Sequence, residues 1–277
     1  MSQNEPSTRY YRRFTPTQRF LHGVLFSAFL GLALTGLPLR FSQSGWAEAF
    51  ASAVGGFGAI LFFHKTFAVL LTVAFLIHLG QVLHLIFIQK EKGILWGPNS
   101  LVPQPRDFHD LFAQFRWFLG LGPKPKFDRF AYWEKFDYWA VFWGMAIIGL
   151  SGYAMWFASS VARFVPGSWL NVALLLHGDE ALLAVWFIFT VHFFNTHLRP
   201  GSFPMDMVIF TGQLSEKELK EKHPVEYDRL MEQGTLEVVL ADTPQRWLIM
   251  LGRTLGILAI VTGFVLLFLT LLSFVRE

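Results

Sequence analysis

Five long runs of almost uncharged residues dominate this sequence: Thr17–Leu39, Phe62–Gln89, Glu134–Phe157, Asn171–His197 and Arg246–Phe274. Each exceeds the ~18 apolar residues that a helix needs to cross a hydrocarbon core about 30 Å thick. In lipid every backbone N–H and C=O must be satisfied inside the protein, so runs of this length fold as helices. The fold class expected is therefore all-α, an integral membrane bundle of about five transmembrane helices. The composition agrees, with 53% hydrophobic and only 16% charged residues, where a soluble domain carries about a quarter charged.

No stretch before Thr17 has the charged, apolar and small-residue pattern of a removable signal peptide, so the first run is expected to be a membrane helix in its own right. Met1 to Pro16 is polar and is expected to be mobile. The basic residues sort by loop. Arg9, Arg12, Arg13 and Arg19 precede or open the first span, and Lys90, Lys92, Arg106, Arg116, Lys124, Lys126 and Arg129 lie between spans two and three. Arg199, Lys217, Lys220, Lys222, Arg229 and Arg246 lie between spans four and five, whereas the two remaining loops hold little beyond Arg40 and Arg163. Lys/Arg bias sets orientation, which predicts a cytoplasmic N-terminus and an outer C-terminus. The net charge of +3 thus reports topology and gives no reason to expect nucleic acid.

Within these loops, Asp107–Gly120 repeats Phe108, Leu111, Phe112, Phe115 and Phe118 at helical spacing, as a helix lying in the membrane interface does. Trp46–Gly58 is small and glycine-rich, and reads as a short interfacial helix on the outer side. Ser215–Asp242 alternates acidic and basic residues like a solvated helix pair. No repeated block indicates an inverted-repeat transporter.

Cysteine is absent, which excludes iron–sulfur clusters, thiolate metal sites and covalent c-type haem. Any cofactor must be held by His, Met or oxygen. Seven of the nine histidines, His22, His64, His78, His84, His177, His192 and His197, lie in or at the ends of membrane spans. Ionisable groups at membrane depth are costly and point to function, and imidazole is a common haem-iron ligand. His64 and His78 are 14 residues apart and His177 and His192 are 15 apart, so at about 100° per residue each pair keeps to one helix face, with its members separated by roughly 21–23 Å. Two haems stacked across the membrane fit that separation. Spans two and four run in the same direction, so His64 and His177, near their outer ends, are placed to clamp one haem. Near the inner side His22, His78 and His192 compete for two axial positions, and spacing leaves that choice open. By the same arithmetic His84 and His197 fall about 200° away from His64 and His177 and are expected to face elsewhere.

The sequence resembles the membrane cytochrome b subunits of respiratory formate dehydrogenases, nickel–iron hydrogenases and thiosulfate-reductase-type complexes. The resemblance rests on Arg19-Phe-Leu-His22 and Thr35-Gly36-Leu-Pro38 in span one, Phe63-His64-Lys65 in span two, and Trp133-Glu-Lys-Phe-Asp137-Tyr-Trp139 entering span three. In span four it rests on His177-x-x-Glu180-Ala and His192-x-x-Asn195-x-His197; Pro200-x-x-Phe203-Pro204-Met205-Asp206 is similar to the variant found beside multihaem cytochromes c. It covers roughly Arg12 to Gly212. The resemblance implies a four-helix cytochrome b core over 17–212, flanked by cytoplasmic segments 1–16 and 213–245 and followed by a fifth transmembrane helix and C-terminus over 246–277. It also implies a bacterial inner membrane, two haem b groups, and a quinone or menaquinone as electron carrier.

Carried over residue by residue, the likeness pairs His64 with His177 and His22 with His192. This chain departs from the pattern in His78, His84, His197 and the fifth span, so His78 stands as the alternative to His22. Arg40 and Lys65 are candidate propionate contacts for the outer haem and Arg19 for the inner. Glu180 is a candidate to orient His177, and His84, Asn195 and His197 are candidates for a quinone site at the inner ends of the spans.

The function expected is electron transfer between the quinone pool and a partner redox subunit. Without cysteine the chain cannot itself hold a relay to a soluble substrate, which calls for a periplasmic or membrane-associated partner such as a multihaem cytochrome c or an iron–sulfur protein. The rival classes are a proton-coupled transporter and a cofactor-free membrane anchor.

Overall fold

The structure, a computed structural model, describes residues 8–203 and 205–276. Met1–Ser7 and Pro204, the latter part of the motif after span four, lie outside the described residues. Five helices are long and apolar enough to cross a membrane: Pro16–Arg40, Phe57–Phe87, Tyr132–Trp156, Ser168–Leu198 and Arg246–Val275. The chain is an all-α membrane bundle. Hydropathy located each span to within a few residues. The largest difference is at span two, which starts earlier because the short helix Gly45–Val54 ends at Gly55 and Gly56, with φ of 101° and 92°. Only glycine takes that left-handed turn twice in succession without strain.

The chain divides into two compact units. One comprises Leu21–Leu79, Ala140–Met205 and the chain from Thr254 onward, and so holds most of the membrane-spanning length. In it Ala33 and Leu37 of span one, Val185, Phe189 and Phe193 of span four, and Ala259, Leu266 and Leu267 of span five form one buried cluster. Span five is thus part of the bundle. Its Ser273 accepts hydrogen bonds from Trp46 Nε1 at 2.8 Å and Ser44 Oγ at 3.1 Å, which ties it to the start of the short helix Gly45–Val54. Spans two and three are joined by Tyr153, whose hydroxyl donates to Thr72 Oγ1 at 2.9 Å, since the Thr72 proton is given to the Ala68 carbonyl. Three stretches of the spans are π-helical: Met145–Gly149, Ile188–His192 and Phe194–Leu198.

The other unit gathers the N-terminal segment to Phe20, Gly80–Trp139 and Asp206–Arg253. These are the three basic segments that the sequence assigns to one side, and they fold together. The expected mobility of the N-terminal segment is not what the structure has over Tyr10–Arg12. That stretch is the central strand of a small antiparallel sheet between Gln213–Ser215 and Leu240–Ala241. Tyr11 is 2% exposed and packs with Leu214, Leu219 and Leu236.

Below the sheet, Glu226 is buried between Arg13 at 2.5 Å and Arg129 at 2.8 Å. The amphipathic helix forms over Pro105–Phe118, started by Pro105 and a reciprocal cap between Gln104 and Asp107. Its Asp107 pairs with Lys135 at 2.8 Å, while Phe108, Phe112, Phe115 and Phe118 are exposed, as an interfacial helix requires. The expected helix pair appears as Glu216–Lys222 and Pro224–Glu232.

Candidate functional site

His64 enters the bundle on span two and His177 on span four, and their ring centres stand 6.2 Å apart with planes crossed at 80°. Each ring is held by its Nδ1. His64 Nδ1 bonds Thr35 Oγ1 on span one at 2.9 Å, and His177 Nδ1 bonds the Ile148 carbonyl on span three at 2.9 Å, with Ser151 Oγ at 3.5 Å. A carbonyl only accepts, so His177 carries its proton on Nδ1. With Nδ1 engaged on each ring, Nε2 across it is the nitrogen left to bind a metal.

The spacing fits one iron between them: with a metal–nitrogen bond of about 2 Å, two imidazoles on opposite sides of a metal have centres about 6 Å apart. Two glycines make room for the rings. A Cβ on Gly36 would meet His64 Cε1 at 3.1 Å, and one on Gly152 would meet His177 Cε1 at 2.9 Å. Among the described residues no three His, Asp or Glu are grouped to hold a bare ion, whereas a haem asks for only two axial side chains.

A second group of histidines comes from spans one and four. His22 is close enough to both His192 and His197 for their charges to interact, and Phe193 lies against the rings of His192 at 6.2 Å and His197 at 5.7 Å. The sequence expectation for His197 does not survive. It assumed an α-helix throughout, but from Ile188 onward most of span four is π-helical. There residues five apart stack over one another, and His197 follows His192 by five. The extra backbone in each turn brings His197 back to the His192 face. His78, the alternative inner ligand, packs edge-on against Phe142 at 6.4 Å.

Most of the remaining candidates have protein partners of their own. Arg40 forms an exposed ion pair with Asp179 at 3.0 Å, and Lys65 lies over the Trp156 ring at 5.0 Å. Arg19 donates to the Phe210 carbonyl in the sheet-bearing unit. Glu180 does not orient His177; it accepts from Trp143 Nε1 at 3.3 Å, and the Ile148 carbonyl takes the role assigned to it. Asn195 is half-buried in the second π turn beside His197 in sequence. His84 is exposed on the last turn of span two and belongs to the sheet-bearing unit.

Sequence reasoning missed Thr35 as a contact of His64, although it stands in the quoted Thr35-Gly36 motif, and missed Ile148, Ser151 and Gly152 altogether. Compared with known protein families and with curated proteins, the chain matches no family model and no curated protein.

Proposed function

We propose that this chain is a di-haem cytochrome b subunit that carries electrons between a membrane quinone pool and a partner redox protein. The observation that carries the reading is the opposed pair His64 and His177, 6.2 Å apart, each turned by an Nδ1 hydrogen bond so that Nε2 is left for iron. Two histidines fixed in this way at membrane depth are costly unless they bind something. The second haem is assigned to His22 and His192, supported by their proximity, in preference to His78.

Haem supplies reversible one-electron chemistry, and the chain sets ligation, burial and position. Span four gives one ligand to each haem, span two the partner for the outer haem and span one the partner for the inner haem, while Thr35 of span one and Ile148 of span three orient the outer pair. Asn195 and His197, beside the inner pair, are the side chains offered for binding a quinone head and exchanging its protons, with His84 a third candidate. The basic, sheet-bearing unit is assigned to the cytoplasm of a bacterium by the Lys/Arg bias, and the outer end then faces a periplasmic or membrane-associated partner that holds the iron–sulfur or multihaem relay this cysteine-free chain lacks.

A pyridine haemochrome assay on the purified chain, with a reduced-minus-oxidised spectrum, tests the reading. Two non-covalent haems per polypeptide and sharp reduced α-bands are expected. A protein that binds none is instead a proton-coupled transporter or a cofactor-free anchor.

A further inference from the structure

We infer that Thr35 is a positioning residue that tunes the redox poise of the outer haem through His64. The inference rests on the haem reading above and adds to it a residue of span one that acts through His64. Thr35 is 6% exposed, and its hydroxyl proton is committed to the Gly31 carbonyl at 2.6 Å. The hydroxyl oxygen is therefore left as an acceptor, and the 2.9 Å contact to His64 is an Nδ1–H donation from the ring. The chain Gly31 carbonyl, Thr35 hydroxyl, His64 ring is directional, and it fixes both the tautomer and the plane of the imidazole.

The Leu32 carbonyl also lies within hydrogen-bonding reach of this ring, which gives the inference a built-in rival. Opposite, His177 is held by the peptide carbonyl of Ile148, which no side-chain substitution removes. The two imidazoles thus have chemically different anchors: the shortest contact of His64 Nδ1 is to a replaceable side chain, whereas that of His177 is to a peptide carbonyl, with the Ser151 hydroxyl farther off at 3.5 Å. An N–H bond to an oxygen acceptor shifts electron density toward Nε2, makes the ligand more basic and favours ferric iron. Removing the acceptor favours ferrous iron.

The test is a spectroscopic redox titration of the full-length purified chain and its Thr35→Val and Thr35→Ser variants, the outer-haem band being assigned by its absence from His177→Ala. Thr35→Val, which keeps the shape and loses the oxygen, is expected to raise the ferrous-to-ferric ratio of the outer haem at fixed potential by up to about tenfold, which is about 59 mV for one electron. The inner haem is expected not to move. Thr35→Ser is expected to titrate as the wild type.

Loss of the outer haem in Thr35→Val alone, with Thr35→Ser loaded and at the wild-type potential, also supports the hydroxyl role. An unmoved outer potential in Thr35→Val assigns the ring to the Leu32 carbonyl and overturns the inference. Equal shifts, or equal loss of haem, in both variants assign the effect to packing and overturn it too. A wild-type chain that binds no haem defeats the underlying reading instead.

Discussion

His64 and His177 face each other from spans two and four with their ring planes 80° apart, and each plane is fixed by a different neighbour, Thr35 for one and Ile148 for the other. Axial imidazoles held perpendicular leave the iron d orbitals of the plane pair nearly degenerate, whereas parallel rings split them. The oxidised outer haem is therefore expected to give a strongly anisotropic low-spin electron paramagnetic resonance signal. That signal should vanish in His177→Ala, and a rhombic spectrum of the parallel-ring type would show that the crossed arrangement does not persist around the iron.

The ligand assignment is tested by haem counting. His64→Ala and His177→Ala are each expected to lower the content from two haems per chain to one, because each removes one of the two axial ligands proposed for that haem. His22→Ala and His192→Ala should each remove the other haem. His78→Ala is expected to retain both, since the inner haem is assigned to His22 and His192. A His78→Ala protein with one haem and a His22→Ala protein with two would reverse the inner assignment.

The parts of this structure that were legible in the sequence are those set by periodicity over many residues. Five spans follow from uninterrupted apolar runs, and the meeting of His64 with His177 follows from two spans that run in the same direction with a histidine near the same end of each. His197 was misplaced because a π turn inserts backbone without a sequence marker that a fixed angle per residue can register. Thr35 was passed over because a threonine in a helix ordinarily bonds only its own preceding turn, and here it does that and also accepts from His64. Strand Tyr10–Arg12 is three residues long and pairs with segments some two hundred residues away, a distance at which local propensity carries no signal. Glu180 and Arg40 found partners, Trp143 and Asp179, that only the packing of neighbouring helices supplies.

Glu226 joins the three basic segments of the sheet-bearing unit, with its side chain 3% exposed between Arg13 and Arg129. Removing one member of a buried charge network leaves the others uncompensated, at a cost of about 3–5 kcal/mol. Glu226→Ala is expected to lose that much stability and to open the unit to trypsin at Lys124, Lys126 and Arg129. The burial of Arg129 already lowers the pKa of its guanidinium, so an apolar replacement at Arg129 made together with Glu226→Ala should recover part of the loss. Trypsin resistance in Glu226→Ala equal to the wild type would show that the sheet, and not this network, holds the unit together.

The π turns give the last prediction, on the quinone. His197 shares a face with His192 and lies within electrostatic reach of His22, so it combines closeness to the inner pair with a ring that the proposed ligation does not use. A quinone head reduced or oxidised beside that haem needs a group of this kind to exchange its protons. His84 meets only part of the requirement, being exposed at the inner end of span two. His197→Ala is accordingly expected to keep both haem bands and to slow haem reduction by a quinol analogue by at least about tenfold, within the range over which a proton-transferring side chain contributes. His84→Ala is expected to stay within about twofold of the wild type, since a solvated imidazole is replaceable by water as a proton carrier. Stopped-flow reduction of the two variants separates the cases. A slow His84→Ala beside an unaffected His197→Ala would move the quinone to the end of span two, and two unaffected variants would remove it from the inner side.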